Sequence, residues 1–560
     1  MTRFALLTVA LTVAAGSVDA QLADVVLMGG RVWAGPGTPT AGPEAPTAVA
    51  IKNGRVVAVG QDAEIGRLAG GKTRRLALDG RRVVPGFMDS HTHFLAGGFE
   101  LAGVQLRDAR TPAEFARRIG EHARRRAGGW VLGGTWDHEL WGGELPRRDW
   151  IDSLTPRTPV FVSRLDGHMA LANSWALELA GVTRETADPP GGTIVRYPDG
   201  RPTGILKDAA QALVERVIPP PSDADRDRAL RAAVDHALAR GVTLVADMGS
   251  WEGFDTYRRA YARRELGLRV YSVVPLASWE RLADLVAKQG RGDHRLFWGG
   301  VKAFVDGSLG STTAWFYDPY QDAPETRGLV VTDTTELWRS IVSADSAGLH
   351  VIVHAIGDRA NDWLLDAFRD ARSLNGARDR RFRIEHAQHL TAQAIRRFAE
   401  LGVIASMQPY HAIDDGRWAA KRIGPERIKT TYAFRDLLDA GARLAFGSDW
   451  TVAPIDPLLG IYAAVTRRTI DGATPNGWVP EQKIAVEEAL TAYTANNAHA
   501  NFLDDVLGTL EPGKYADLVV LSDDPFLMDP VRIEDVKVDL TMVEGNIAWQ
   551  RDAATGRRRR

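Results

Sequence analysis

The feature that most restricts the fold of this chain is an eightfold alternation, through its middle, of short apolar segments with amphipathic stretches. This is the pattern of βα units around a parallel sheet. Eight segments read as strands: 82–88, 242–248, 268–274, 300–305, 350–354, 383–386, 402–408 and 443–447. Helical stretches such as 225–239 and 433–440 lie between them. Eight such units predict an α/β fold of the (β/α)8 TIM barrel kind, with the barrel over 86–504. The stretch from about 95 to 235 is too long for one connection and carries its own strands and helices. It is expected as an inserted subdomain capping the barrel mouth.

The two ends have a different texture. Residues 24–32 and 48–59, and later 516–521 and 540–549, are short β-rich runs broken by turn signals such as Asn53-Gly54 and Glu544-Gly545. Together they predict a small composite β-sandwich built from 21–85 and 505–550.

Composition removes several chemistries. The 560 residues include no cysteine, so disulfides, thiolate catalysis and cysteine-ligated zinc all drop out, and any metal must be held by imidazole and oxygen. A formal net charge of -2 gives no reason to expect nucleic acid or an anionic membrane as partner. The run 557–560, all arginine, reads as a solvated tail. Residues 1–20 read as an export signal: Arg3, an apolar run over 4–15, and a small-residue cleavage site ending at Ala20. That run is too short to span a bilayer, and no later membrane span is expected. A secreted or periplasmic enzyme acting on a small molecule follows, and a homo-oligomer is compatible with the sequence.

In such a barrel, catalytic side chains gather where strands run out. The first strand ends on His91-Thr92-His93. Alternate residues of an extended chain point the same way, so the two imidazoles converge as ligands for a divalent metal would. Two later strands end on His354 and His386, and the last ends at Asp449. A carboxylate there can ligate metal and accept a proton from an attacking water. Lys302 falls inside an apolar strand, where lysine is unexpected. Burial would favour its neutral form, which CO2 can convert to a metal-bridging carbamate; an ion pair with Asp306 is the alternative.

This ordered set resembles the amidohydrolase superfamily. Further motifs narrow the resemblance to its amidohydrolase 3 branch, the YtcJ-like group that includes N-substituted formamide deformylases. They are Asp166-Gly167-His168 with Asn173-Ser174, then 202–206, 306–310, 354–361, 383–388 and Met407-Gln408-Pro409. Residues 510–519 resemble the family's return into its composite sandwich, and the likeness runs from about 24 to 548. The resemblance implies His91, His93, His354 and His386 as metal ligands, Lys302 as a carboxylated bridging ligand, and Asp449 as ligand and proton shuttle. One or two divalent ions are implied, zinc foremost. One departure stands out: Ser311-Thr312-Thr313 occupies the place where the family often has Ser-Arg-Thr, removing a positive group near the substrate.

His168 is expected at the mouth to bind substrate or polarise its carbonyl, and His411 to face the substrate after the seventh strand. Asp208 is a further candidate carboxylate, and Trp136, with Asp137, Trp141 and Trp315, is expected to line a pocket. The expected activity is hydrolysis of an amide-like, non-peptide C–N bond of a small exported or environmental compound by a metal-activated water. Hydrolysis of an ester, carbamate or cyclic imide, an isomerase or lyase on the same scaffold, and a non-catalytic binding module are the alternatives.

Overall fold

A computed structural model describes residues 22–551 apart from 126–128, 166, 168 and 191 and the side chains of 139 and 208. The expected export signal over 1–20, the arginine run 557–560 and His168 lie outside the described residues.

Eight parallel strands form the barrel: β1 (Phe87–Thr92), β2 (Val242–Met248), β3 (Arg269–Pro275), β4 (Leu296–Phe304), β5 (His350–Ala355), β6 (Arg383–His386), β7 (Ile404–Met407) and β8 (Arg443–Phe446). Each pairs with the next in chain order. The ring closes just beyond the strand ends, where Asp449 N donates to His91 O at 2.7 Å and His93 N to Trp450 O at 2.6 Å. Strands covered on both faces can be apolar along their whole length, and every residue of β2 is buried. The outer helices are apolar on one face only. Ala392–Leu401, for example, buries Ala394, Ile395 and Phe398, is capped by the Thr391 side chain accepting from Ala394 N, and stops at Gly402 in the left-handed region.

One expected element is divided. The run 82–88 is not a single strand. Arg82–Pro85 pairs with Leu518–Leu521 and with Arg31–Val32, and the barrel strand begins only at Phe87. The change of sheet falls at Gly86, whose N–H donates to Asp517 O at 2.8 Å. A Cβ there would meet Thr243 Oγ1 at 2.4 Å. Both halves are apolar and buried, so hydropathy carries no mark of the break.

Arg82–Pro85 belongs to a five-stranded sheet made from both ends of the chain, with Arg31–Val32, Leu518–Leu521, Val538–Val543 and Asn546–Gln550. Its residues Val83, Leu518, Leu540 and Met542 share a core with Leu27, Val49 and Ile51 of a four-stranded N-terminal sheet. Arg269, fully buried at the start of β3, ties the barrel to this sandwich through two hydrogen bonds to Asp517, at 2.7 and 2.9 Å.

Between β1 and β2 the chain builds a six-stranded sheet running from Val104–Gln105 to Pro202–Asp208, with apolar cores of its own. Among the described residues no helix is long and apolar enough to cross a membrane.

Candidate metal centre

The barrel brings five of the expected ligands to one end. His91 lies on β1 and His93 just past it; His354 is on β5, His386 ends β6, and Asp449 follows β8. Two of these residues hold unusual backbone conformations, His386 at φ 74° and Asp449 at φ 56°. Such left-handed conformations cost a non-glycine residue on the order of 1–3 kcal/mol and persist only where the surroundings impose them. Here the turn after each strand aims the side chain back over the barrel mouth.

Asp449 Oδ1 lies 3.3 Å from His93 Nε2 and 3.5 Å from His91 Nε2. The ring centroids of His91 and His386 are 5.1 Å apart, and those of His354 and His386 are 4.6 Å apart. His91, His386 and Asp449 each offer a donor atom, all within 4.8 Å of one another. Asp449 Oδ1, His386 Nδ1 and His411 Nε2 are buried without a hydrogen bond among the described residues. Leaving a buried acceptor unsatisfied costs about 1–3 kcal/mol. The donor atoms that His91, His386 and Asp449 bring together, all nitrogen or oxygen, fit a divalent cation.

A buried network orients the histidines. His91 Nδ1 is 2.6 Å from Glu385 Oε2, which also accepts from Ser406 Oγ at 2.7 Å. The other Glu385 oxygen takes Arg383 Nε at 2.9 Å, and Arg383 reaches on to the Ser90 carbonyl. Glu385 and Arg383 are fully buried. Burial alone would raise the Glu385 carboxyl, but Arg383, His91 and Lys302 together hold it down to about 2. His354 Nε2 is 3.0 Å from Gly307 O, which leaves Nδ1 as the nitrogen outside that contact.

Burial pushes His354 down to about 3, His386 well below the usual imidazole range, and His91 in the same direction; Lys302 adds to all three. All three are therefore neutral near pH 7, with lone pairs free to bind a cation. Burial would raise Asp449, yet the surrounding His91, His93 and His386 hold it well below the carboxylate range. Lys302 Nζ sits 4.3 Å from the Phe304 ring centroid, and burial lowers the amine to about 8. Asp306 is not its partner: its oxygens accept the backbone N–H groups of Trp315, Ile356 and Gly357 at 2.7, 3.0 and 2.8 Å.

The sequence profile of the amidohydrolase family matches residues 76–548. The chain belongs to that family. It is similar to Protein LONG AFTER FAR-RED 3 of Arabidopsis thaliana, 46% identical over 488 residues, covering 85% of this chain and 83% of that one. It is also similar to the N-substituted formamide deformylase of Arthrobacter pascens, 30% identical over 531 residues, covering 90% and 95%. An uncharacterized metal-dependent hydrolase from Pyrococcus horikoshii OT3 superposes with a TM-score of 0.74 at 31% identity, covering 90% of this chain and 99% of that one. This amidohydrolase is a metal-dependent hydrolase of C–N bonds.

His91, His93, His354, His386 and Asp449 lie on the wall of a cavity of about 580 Å³. His411 lines it, its ring parallel to that of His386 at 6.2 Å, and Lys302 lines it too. Trp136 does not. It is fully buried in the insertion's own core, its Nε1 donating to Val162 O at 2.9 Å and its ring edge-on to Phe115. The strand Gly133–Trp136 turns that ring inward, and Asp137, the next residue, lines the cavity instead. Trp141 packs on Phe115 and Trp150, and Trp315 lies under the Arg359 guanidinium; neither lines the cavity. Asp208 ends its strand, its side chain outside the described residues, as is His168.

A positive group does stand beside Thr312, contributed by another element. Arg422, on the helix Ala419–Arg427, donates to Thr312 Oγ1 at 2.8 Å and to Gly310 O at 3.3 Å, and lines the cavity. Sequence reasoning passed over Glu385 altogether, although a carboxylate inside the apolar run Arg383-Ile384-Glu385-His386 is the same kind of signal that singled out Lys302.

Proposed function

We propose that His91, His93, His354, His386 and Asp449, with Lys302, hold one or two divalent ions, and that the cavity hydrolyses a small amide of the N-substituted formamide type. The observation that carries this is that His91, His386 and Asp449 each offer a ligand atom within 4.8 Å of the others, and that Asp449 Oδ1 is buried with no hydrogen bond among the described residues. Imidazole and carboxylate donors without thiolate suit zinc. A divalent ion bound there supplies a water acidified from about 16 to about 7 and a positive charge beside the developing oxyanion.

The chain's own groups do the rest. Asp449, ionised and facing the histidines, accepts the proton of the attacking water on a carboxylate oxygen and returns it to the leaving nitrogen. His411, stacked beside His386 on the cavity wall, is proposed to contact the substrate, and His168 is proposed to polarise its carbonyl. Lys302, buried and lowered to about 8, is neutral often enough to attack CO2, losing one proton and forming the carbamate. The cavity volume suits a compound of small-molecule size. The apolar run over 4–15 supports an exported enzyme that meets this substrate outside the cytoplasm.

Asp449→Asn keeps the shape of the side chain and removes the proton acceptor. It is expected to lower turnover of N-substituted formamides by about 100-fold or more while the protein still binds metal. Wild-type kcat in that variant would remove Asp449 from the mechanism.

A further inference from the structure

Asp415 takes no part in the metal cluster. It ends the helix Pro409–Asp415, which leaves the barrel directly after β7, and it lines the same cavity as His411, one turn earlier on that helix. Residues four apart share a helix face, with about 5–6 Å between their Cβ atoms. His411 lies beside His386, so Asp415 marks a second polar point of the cavity about one helical turn from His411.

The surroundings of its carboxylate are asymmetric. Oδ2 accepts from Tyr432 OH at 2.6 Å and from Gln388 Nε2 at 2.9 Å. Oδ1 has no hydrogen-bond partner among the described residues. Among the described residues no salt bridge reaches it: of the cations on the cavity wall, Arg417 pairs with Asp414, Arg422 with Asp322, and Arg164 lies 3.6 Å from Asp137. Burial first, and then the neighbouring Asp414, push the Asp415 carboxyl up to about 7, against the lowering effect of Tyr432, Arg417 and Gln388. Apolar Phe304, Leu309 and Ile356 line the cavity elsewhere and can hold a carbon skeleton.

We propose that Asp415 is a specificity-determining residue whose Oδ1 receives an ammonium group carried by the substrate at the end remote from the scissile amide. The charge-assisted hydrogen bond supplies the partner that Oδ1 lacks, while Tyr432 and Gln388 keep the carboxylate aimed. This rests on the amide-hydrolase reading of the cavity, and the test separates the two.

The probes are N-[4-(aminomethyl)benzyl]formamide and its uncharged analogue N-(4-methylbenzyl)formamide. Binding is measured by calorimetry on the full-length, metal-loaded Asp449→Asn protein, and turnover on the enzyme with Asp449 intact. The ammonium compound is expected to bind at least about tenfold more tightly. Adding Asp415→Asn should bring the ratio of the two Kd values close to one, and Asp415→Glu, which keeps the charge, should restore part of it and serves if the asparagine variant does not fold. Equal Kd values in the parent protein, or a preference that survives Asp415→Asn, overturns the inference. An ammonium preference with no turnover of either compound leaves Asp415 in its role and removes the amide reading instead.

Discussion

Glu385 Oε2 lies 2.6 Å from His91 Nδ1, and the two groups are sealed inside the barrel. Because the carboxylate is held ionised, the imidazole proton sits on Nδ1 and the Nε2 lone pair points toward Asp449, 3.5 Å away. A carboxylate behind a ligand histidine fixes its tautomer and raises its basicity. The same carboxylate neutralises Arg383, which is also fully buried.

Glu385→Gln should therefore weaken two things at once. Zinc affinity, measured by competition with a chromogenic chelator, is expected to fall about 10- to 100-fold. Stability, measured by urea unfolding, is expected to fall by about 3 kcal/mol or more, because Arg383 is left charged and unpaired in the core. An affinity indistinguishable from wild type would show that His91 is not a ligand oriented through Glu385.

Trp136 predicts the opposite pattern. Its ring fills the core of the insertion and its Nε1 is already bonded, so Trp136→Ala should cost about 3–5 kcal/mol of stability in that subdomain without raising KM. A KM effect without destabilisation would return the ring to the substrate pocket.

His350 makes a prediction about acid. It lies at the start of β5, away from the metal ligands, with Tyr271 OH 3.0 Å from Nδ1 and Arg381 O 2.7 Å from Nε2. Burial, then Arg383, lowers it to about 3 from an ordinary value of 6.5. Above that ordinary value the folded and unfolded states are both neutral at this position. As pH falls from 6.5 toward 3 the unfolded chain gains a proton that the folded one refuses, so the fold loses about 1.4 kcal/mol per pH unit from this residue. Urea midpoints should drop through that window, and His350→Gln should make the decline shallower by close to one proton. Parallel declines in the two proteins would contradict the assignment.

How much of this was legible in the sequence depends on what each residue touches. The barrel strands carry their burial in their own hydropathy, so β2 and β5 stand out from local pattern alone. The histidines at strand ends were visible for the same reason, since a polar residue where an apolar run stops is a local event. Gly86 was not: the switch of sheet there depends on Asp517 and Thr243, far along the chain, and the residues on either side of it, Val83 to Pro85 and Phe87 to Met88, are alike apolar. Trp136 and its neighbour Asp137 differ only in which side of a strand they occupy, and that side is set by packing against Phe115 and Val162. Arg422 reaches Thr312 across 110 positions of sequence, a contact no motif encodes.

The measurement closest to the central claim is the metal content of the purified protein, taken with its amidase activity before and after chelation. About one to two equivalents of a divalent metal, zinc foremost, are expected per chain, with activity lost on chelation, regained on adding zinc, and both abolished in a His91→Ala, His386→Ala double variant. Undiminished activity in protein stripped of metal, or full metal content in that double variant, would contradict the account.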